Sequence, residues 1–265
     1  MTDAPLRLTI FLSLLLLFGA AEYFWPRQRI APQRRRRWVV NLGLAVIGTL
    51  CVRLLMPWLA IDAAVWARTR EFGILPMLGV PAPVAAIIAF LALDFTIYLQ
   101  HRLMHRLHLL WRLHRVHHTD LMLDVSSASR FHPLEILLSM AIKIGAVVLL
   151  GAAPPVVLAF EIVLNGFAIF THANIAVPAG FDRTLRLVFV TPDMHRIHHS
   201  IRRAEYDSNF GFHVSWWDRL CGTYCPTAAE VQALMPLGLD QFREPAEQRL
   251  SALLTEPFRE EQTRA

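Results

Sequence analysis

Residues 101–118 read HRLMHRLHLLWRLHRVHH and hold six of the twelve histidines in a chain of 265 residues. Read as one helix, this stretch places His101 and His105 at i and i+4, on a shared face. His114, His117 and His118 stand at i, i+3 and i+4, and the spacing again predicts one face. A second HxxHH cluster follows at His195, His198 and His199. Neutral imidazole is the commonest protein ligand for iron, copper and zinc. Eight histidines in HxxxH, HxxHH and HxxHH spacing supply about four nitrogens to each of two ions. A single histidine on an apolar face is more often a hydrogen-bonded core residue than a ligand. Three clusters of fixed spacing reverse that preference, because so many imidazoles together repel one another once protonated. HExxH, the word of zinc hydrolases, is absent. So are the Glu and ExxH ligands of bundle-type di-iron proteins. Two nitrogen-rich shells with open positions suit redox iron, or copper.

The elements that must position these histidines are apolar. Hydrophobic residues make up 55% of the chain and mean hydropathy is +0.40, above the roughly 45–50% of a soluble domain. Residues 7–25 are long enough to span a bilayer. A cleavable signal peptide fits them poorly, because the run ends in Glu22, Tyr23, Phe24 and Trp25 rather than in small residues. Six arginines follow between Arg27 and Arg37, and Pro26 and Pro32 keep that connection short. A second span over 38–60 completes a hairpin. Net charge is +5 and the pI about 9.6. Arginines clustered beside apolar runs read as a cytoplasmic topology signal rather than a nucleic-acid surface. Residues 61–82 read as interfacial or partly re-entrant. Spans at 83–100, 134–152 and 154–171 follow, and counting them from the arginine turn places every histidine cluster on the cytoplasmic side. The expectation is an all-α, integral membrane helical bundle of four to five spans with a cytoplasmic histidine-rich helical cap. Its parts are an amino-terminal hairpin and interfacial segment (1–82), a catalytic domain (83–225) and a cytoplasmic tail (226–265). The host membrane is the inner membrane in a bacterium and the endoplasmic reticulum in a eukaryote. Asp94 and Tyr98 interrupt the third span, and an acid there needs a partner: a ligand histidine, or a structural hydrogen bond. Cys51, Cys221 and Cys225 are odd in number and read as free thiols.

The text DFTIYLQHRLMHRLHLLWRLHRVHHTD, then SRFHPLE, THANI, TPDMHRIHHS, NFGF and SWWDRLCGTY, resembles the fatty acid hydroxylase / sterol desaturase superfamily of membrane-bound di-metal oxygenases. The resemblance covers about 83–225. It implies that His101 and His105 form the first box, His114, His117 and His118 the second, and His195, His198 and His199 the third. It adds His172, in the HxN word, as a ninth ligand. It implies two iron ions, with zinc as a substitute, that use dioxygen to oxidise an unactivated C–H bond of a lipid. Hydroxylation, desaturation and ether-lipid monooxygenation all fit, with fatty acyl, sterol-like, isoprenoid or ether lipids as substrates.

The chain carries no dinucleotide-binding GxGxxG unit and no haem-attachment CxxCH. Electrons are therefore expected from an external ferredoxin, rubredoxin or cytochrome b5-type donor with its reductase. His132 reads as a ligand or a hydrogen-bonding partner, and His108 and His213 as bystanders. Trp216 and Trp217 read as interfacial, Asp218 as a cap or ion-pair partner, and Asn209 and Gly211 as a turn. Arg102, Arg106, Arg112, Arg115 and Arg196 read as a basic face toward headgroups. Two rival classes are a zinc hydrolase, which would work without oxygen, and a metal- or haem-binding transporter or electron carrier, which would place bis-histidine pairs inside the spans.

Overall fold

The structure is a computed structural model that describes residues 3–30 and 33–260. Pro32, assigned above to the arginine turn, lies outside the described residues. Among the described residues no strand forms. Five helical stretches are long and apolar enough to cross a membrane. They are α1 (Asp3–Phe24), α2 (Arg34–Leu55), α5 (Ala82–Arg106), α7 (Pro133–Leu150) and α8 (Pro154–His172). The second stretch continues through the short helices α3 (Ala60–Thr69) and α4 (Ile74–Met77). Leu16, Leu54 and many similar side chains on the outside of the spans are exposed. In water so much apolar surface would be a liability; in a bilayer it is the solvent-matched face. The chain is an integral membrane bundle.

Proline and glycine punctuate the spans. α2 stops before Pro57, whose ring disfavours helix in the preceding residue. α7 begins at Pro133 and α8 at Pro154, first-turn positions where a missing N–H costs nothing. Between them Gly151 caps α7 in the left-handed region at φ 69°. A Cβ there would lie 2.6 Å from the Phe72 carbonyl oxygen. The α7–α8 turn is thus pressed against the segment after α3. The buried alanines Ala60, Ala63 and Ala64 of α3 pack with Leu93, Val147 and Phe160. Residues 61–82 therefore close the end of the bundle opposite the histidines.

At the histidine end the chain departs from the expected single helix. α5 continues straight out of its span to Arg106, then breaks at Leu107, which is extended at φ −100° and ψ 117°. α6 (His108–His118) starts afresh. His101 and His105 thus ride on the spanning helix itself, and the second box has its own. A cap built from α9 (Ala179–Leu185), α10 (Pro192–His198), α11 (Arg203–Tyr206) and α12 (Trp216–Leu220) folds over this end. The tail returns through α13 (Leu250–Thr255) to lie beside α6.

The arginine run is partly structural. Arg34–Arg37 form the first turn of α2 rather than a loop. Arg37 reaches into the cap, where its guanidinium meets Asp120 at 2.8 Å and Asp124 at 2.7 Å and also the Met122 carbonyl. Burial raises the Asp120 carboxyl, but Arg37 and Arg130 outweigh that and hold it at about 2. Arg34 pairs with buried Glu22, which also accepts the backbone N–H groups of Val125 and Asn174. Arg115 and Arg196, read as facing headgroups, are fully buried. Arg115 donates to the carbonyls of Glu256 and Arg259 in the tail, and Arg196 donates to Asn174.

Replacing Arg37 by alanine leaves Asp120 buried without its main counter-charge. Arg37→Ala should cost about 3–5 kcal/mol, the range for breaking a buried pair, read as a lowered midpoint of SDS unfolding in detergent. An unchanged midpoint would show that the clamp holds nothing.

Candidate metal centre

Nine buried imidazoles gather into two groups at the histidine end. His101, His105, His114, His118 and His198 form one; His117, His172, His195 and His199 form the other. Within each group the candidate ligand nitrogens lie within 4.8 Å of one another. Ions held about 2.1 Å from imidazole nitrogens set opposite ligands about 4.2 Å apart. All nine residues named from the sequence are among these two groups. His108 is exposed at the start of α6. His132 caps α7, accepting from Leu134 N and meeting the Leu254 carbonyl oxygen through Nε2. It belongs to neither group.

Each HxxHH box straddles the two groups, which corrects the expectation of one face per box. In α6, His114 and His118 are i and i+4 and turn toward the five-histidine group, while His117 turns away to the other. In α10, His195 and His199 are i and i+4 and serve the four-histidine group, while His198 serves the five. Adjacent residues on a helix differ by about 100° in direction, so one short helix can face two neighbouring sites. The groups touch: His118 stacks on His199 with centroids 4.5 Å apart.

Backbone carbonyls set the tautomers. A carbonyl oxygen only accepts, so the ring nitrogen facing it must carry the proton. Nδ1 of His101 donates to Phe210 O at 2.9 Å, that of His117 to Arg130 O at 3.2 Å, that of His172 to Ala168 O at 2.7 Å, and that of His198 to Ser208 O at 2.6 Å. The Glu135 carboxylate takes the same part for His114 at 2.7 Å, and Asp207 lies 3.4 Å from Nδ1 of His105. The five hydrogen bonds leave Nε2 of His101, His114, His117, His172 and His198 as a bare lone pair; Nδ1 of His105 makes none.

Those lone pairs have nothing to bind within the protein. Nε2 of His101, His105, His114, His118 and His198 is buried and without a hydrogen-bond partner. In the other group, Nε2 of His117 and of His172 face each other at 3.0 Å, and both are already committed as acceptors. His195 and His199 bring two more ring nitrogens to the same point, at 3.1 and 3.2 Å. Acceptors converging on acceptors, in a buried place, need a cation between them. Burial and the neighbouring imidazoles push His117, His118, His195 and His199 well below the usual histidine range, and burial pushes His198 down to about 3. All five are neutral near pH 7, the form that binds a metal. The donor set fits two nitrogen-ligated transition-metal ions.

Other residues fall elsewhere. Asp94 meets no ligand histidine: it pairs with Nδ1 of His213 at 2.6 Å and accepts from Trp217 Nε1 at 2.8 Å. Asp218 lies inside α12 rather than at its cap position. Its carboxylate accepts the N–H groups of Phe210 and Gly211, and burial pushes its pKa up to about 6. The cysteines are free. Glu135 holds the His114 ring directly, and Asp218 holds the Phe210–Gly211 peptide that meets His101, roles that spacing does not reveal. Glu135 and Asp218 both lie in words singled out above, SRFHPLE and SWWDRLCGTY.

A profile of the fatty acid hydroxylase family matches residues 86–223, just over half of the chain. Ornithine lipid hydroxylase OlsE of Rhizobium tropici is 35% identical over 144 residues, which is 54% of this chain and 43% of that protein. Alkylglycerol monooxygenase of Danio rerio is 31% identical over 145 residues, 54% of this chain and 31% of that protein. The Homo sapiens alkylglycerol monooxygenase is 29% identical over 161 residues, 60% and 34% respectively. This chain thus covers less than half the length of these relatives. No solved structure matches it. The matched stretch includes all nine clustered histidines, and the chain belongs to the fatty acid hydroxylase family.

Proposed function

We propose that this protein is an O2-dependent di-iron lipid hydroxylase. The observation that carries the reading is the convergence of nine buried imidazoles into two adjacent groups, five of them with Nε2 unpartnered inside the protein. His101, His105, His114, His118 and His198 would hold one iron, and His117, His172, His195 and His199 the other; zinc would occupy the same nitrogens as a substitute. When bound, the irons supply activation of dioxygen and insertion of one oxygen atom into a C–H bond.

The chain's own contribution is to hold the rings and keep the site dry. Carbonyls and Glu135 fix which nitrogen of each anchored ring faces inward. Phe131 stacks on His117 at 4.3 Å, and Phe210 and Phe212 lie against His101 at 5.5 and 5.2 Å. These rings exclude water from the reacting region. The substrate we propose is a membrane lipid with a polar headgroup and a long alkyl chain, the class named in the relatives. Those names favour hydroxylation over desaturation. Electrons would come from an external ferredoxin, rubredoxin or cytochrome b5-type protein. The arginines at the histidine end support a cytoplasmic position for that end.

Two outcomes follow. The purified full chain should take up two ions. His198→Ala should weaken the ion of the five-histidine group and His117→Ala that of the four-histidine group, with helical circular dichroism kept. An unchanged metal content in either variant would remove that residue from the ligand set. Host membranes expressing the protein under 18O2 should contain a lipid heavier by one labelled oxygen, absent with His117→Ala. A lipid lighter by two hydrogens would establish desaturation instead, and ester hydrolysis without oxygen would establish a zinc hydrolase.

A further inference from the structure

The segment Ser208–Gly211 supplies acceptors to two rings of the five-histidine group: Ser208 O to His198 and Phe210 O to His101. What holds this segment is Asp218, fully buried in α12. One carboxylate oxygen, Oδ1, accepts Phe210 N–H at 2.8 Å and the Thr223 hydroxyl at 2.7 Å. The other, Oδ2, accepts Gly211 N–H at 2.9 Å. A Cβ on residue 211 would lie 2.9 Å from Oδ2 and 3.0 Å from Val214 O. Only glycine lets this peptide come so close to the carboxylate. Thr223 Oγ1 also meets Tyr98 OH at 2.9 Å, one helical turn before His101. Asn209, left-handed at φ 54°, locks the other side by bonding Met194 O, Cys225 O and Cys225 N.

The Phe210–Gly211 peptide unit is therefore bonded at both ends. Its N–H points at Asp218 and its C=O takes the Nδ1 proton of His101. A negative charge on the N–H side polarises the amide, and a polarised carbonyl is a stronger acceptor. A stronger acceptor at Nδ1 makes the opposite nitrogen of the imidazole a better electron donor. For His114 the Glu135 carboxylate does this by direct contact. For His101 the same push is delivered across one peptide bond.

We infer that Asp218 is a positioning residue for the five-histidine group: it orients and polarises the Phe210–Gly211 peptide and so sets both the direction and the donor strength of His101. The inference rests on the reading that the two groups hold two ions. It separates Asp218 from a general stabiliser of the cap, because its effect falls on one ion and not on the other. Among the described residues, no hydrogen bond runs from residues 208–211 to the rings of His117, His172, His195 or His199; Asn209 reaches only the Met194 backbone of α10.

The test is cobalt(II) titration of the metal-free full chain in detergent, followed by absorption, with Asp218→Asn and Thr223→Val beside the wild type. An asparagine presents an NH2 to one of the N–H groups that the carboxylate now accepts. In Asp218→Asn the ion of the five-histidine group should bind about ten- to hundred-fold more weakly, with its absorption bands shifted. The affected ion should be the one that His101→Ala disrupts, and the other should keep wild-type affinity and spectrum. Thr223→Val removes one donor from Oδ1 and spares the Gly211 bond, so it should weaken the same ion by less. That second variant decides the matter if Asp218→Asn does not reach the membrane. Equal weakening of both ions, or no change in either, would overturn the inference while leaving the two-ion reading intact. A wild type that takes up fewer than two ions would overturn both.

Discussion

Nine buried imidazoles at the end of a membrane bundle can share so small a space only if something positive stands between them. Imidazole is easily hydrated, and moving one into a dry interior without a partner costs a few kcal/mol. Here five Nε2 atoms lie buried and unpaired in one group, and two ring nitrogens meet face to face in the other. Protonation offers no escape for His117 and His199, since burial and mutual repulsion push both well below the usual histidine range. The structure therefore makes sense around cations. The carbonyls, the carboxylates and the long-range ion pairs of the cap all hold these rings in a geometry that is costly without metal.

That demand explains the shape of the histidine end. Each box has to serve two neighbouring sites, and a helix does so by sending i and i+4 to one and the residue between them to the other. The break at Leu107 lets α5 and α6 point their rings at each other rather than along one line. Arg37, rooted in a membrane helix, clamps the loop after α6 through Asp120 and Asp124. Arg115 ties α6 to the tail at Glu256. The cap is thus bound to the bundle by buried charge as well as by apolar packing, which suits a region where one degree of tilt moves every ligand.

Much of this was legible in the order of residues. The spans follow from hydropathy, the turns from proline and glycine, and the common location of the histidines from counting spans. The nine clustered histidines follow from spacing and from the resemblance that adds His172. What spacing could not show was direction. Nothing local says that His117 turns away from His114 and His118, because that depends on where α8 and α10 arrive. Arg115 and Arg196 looked like surface charges because arginine usually is one; only the folded chain supplies the carbonyls and Asn174 that let them be buried. Asp218 is nineteen residues from His199 and acts through a peptide group, so its word in the sequence does not reveal what it holds. The same holds for Asp94, whose partner is His213 rather than a ligand.

The most direct test of the account is anomalous X-ray diffraction at the iron absorption edge, on crystals of the full chain reconstituted with iron. The account predicts two anomalous peaks, one enclosed by His101, His105, His114, His118 and His198, the other by His117, His172, His195 and His199. A single peak, or peaks lying away from these nitrogens, would contradict it.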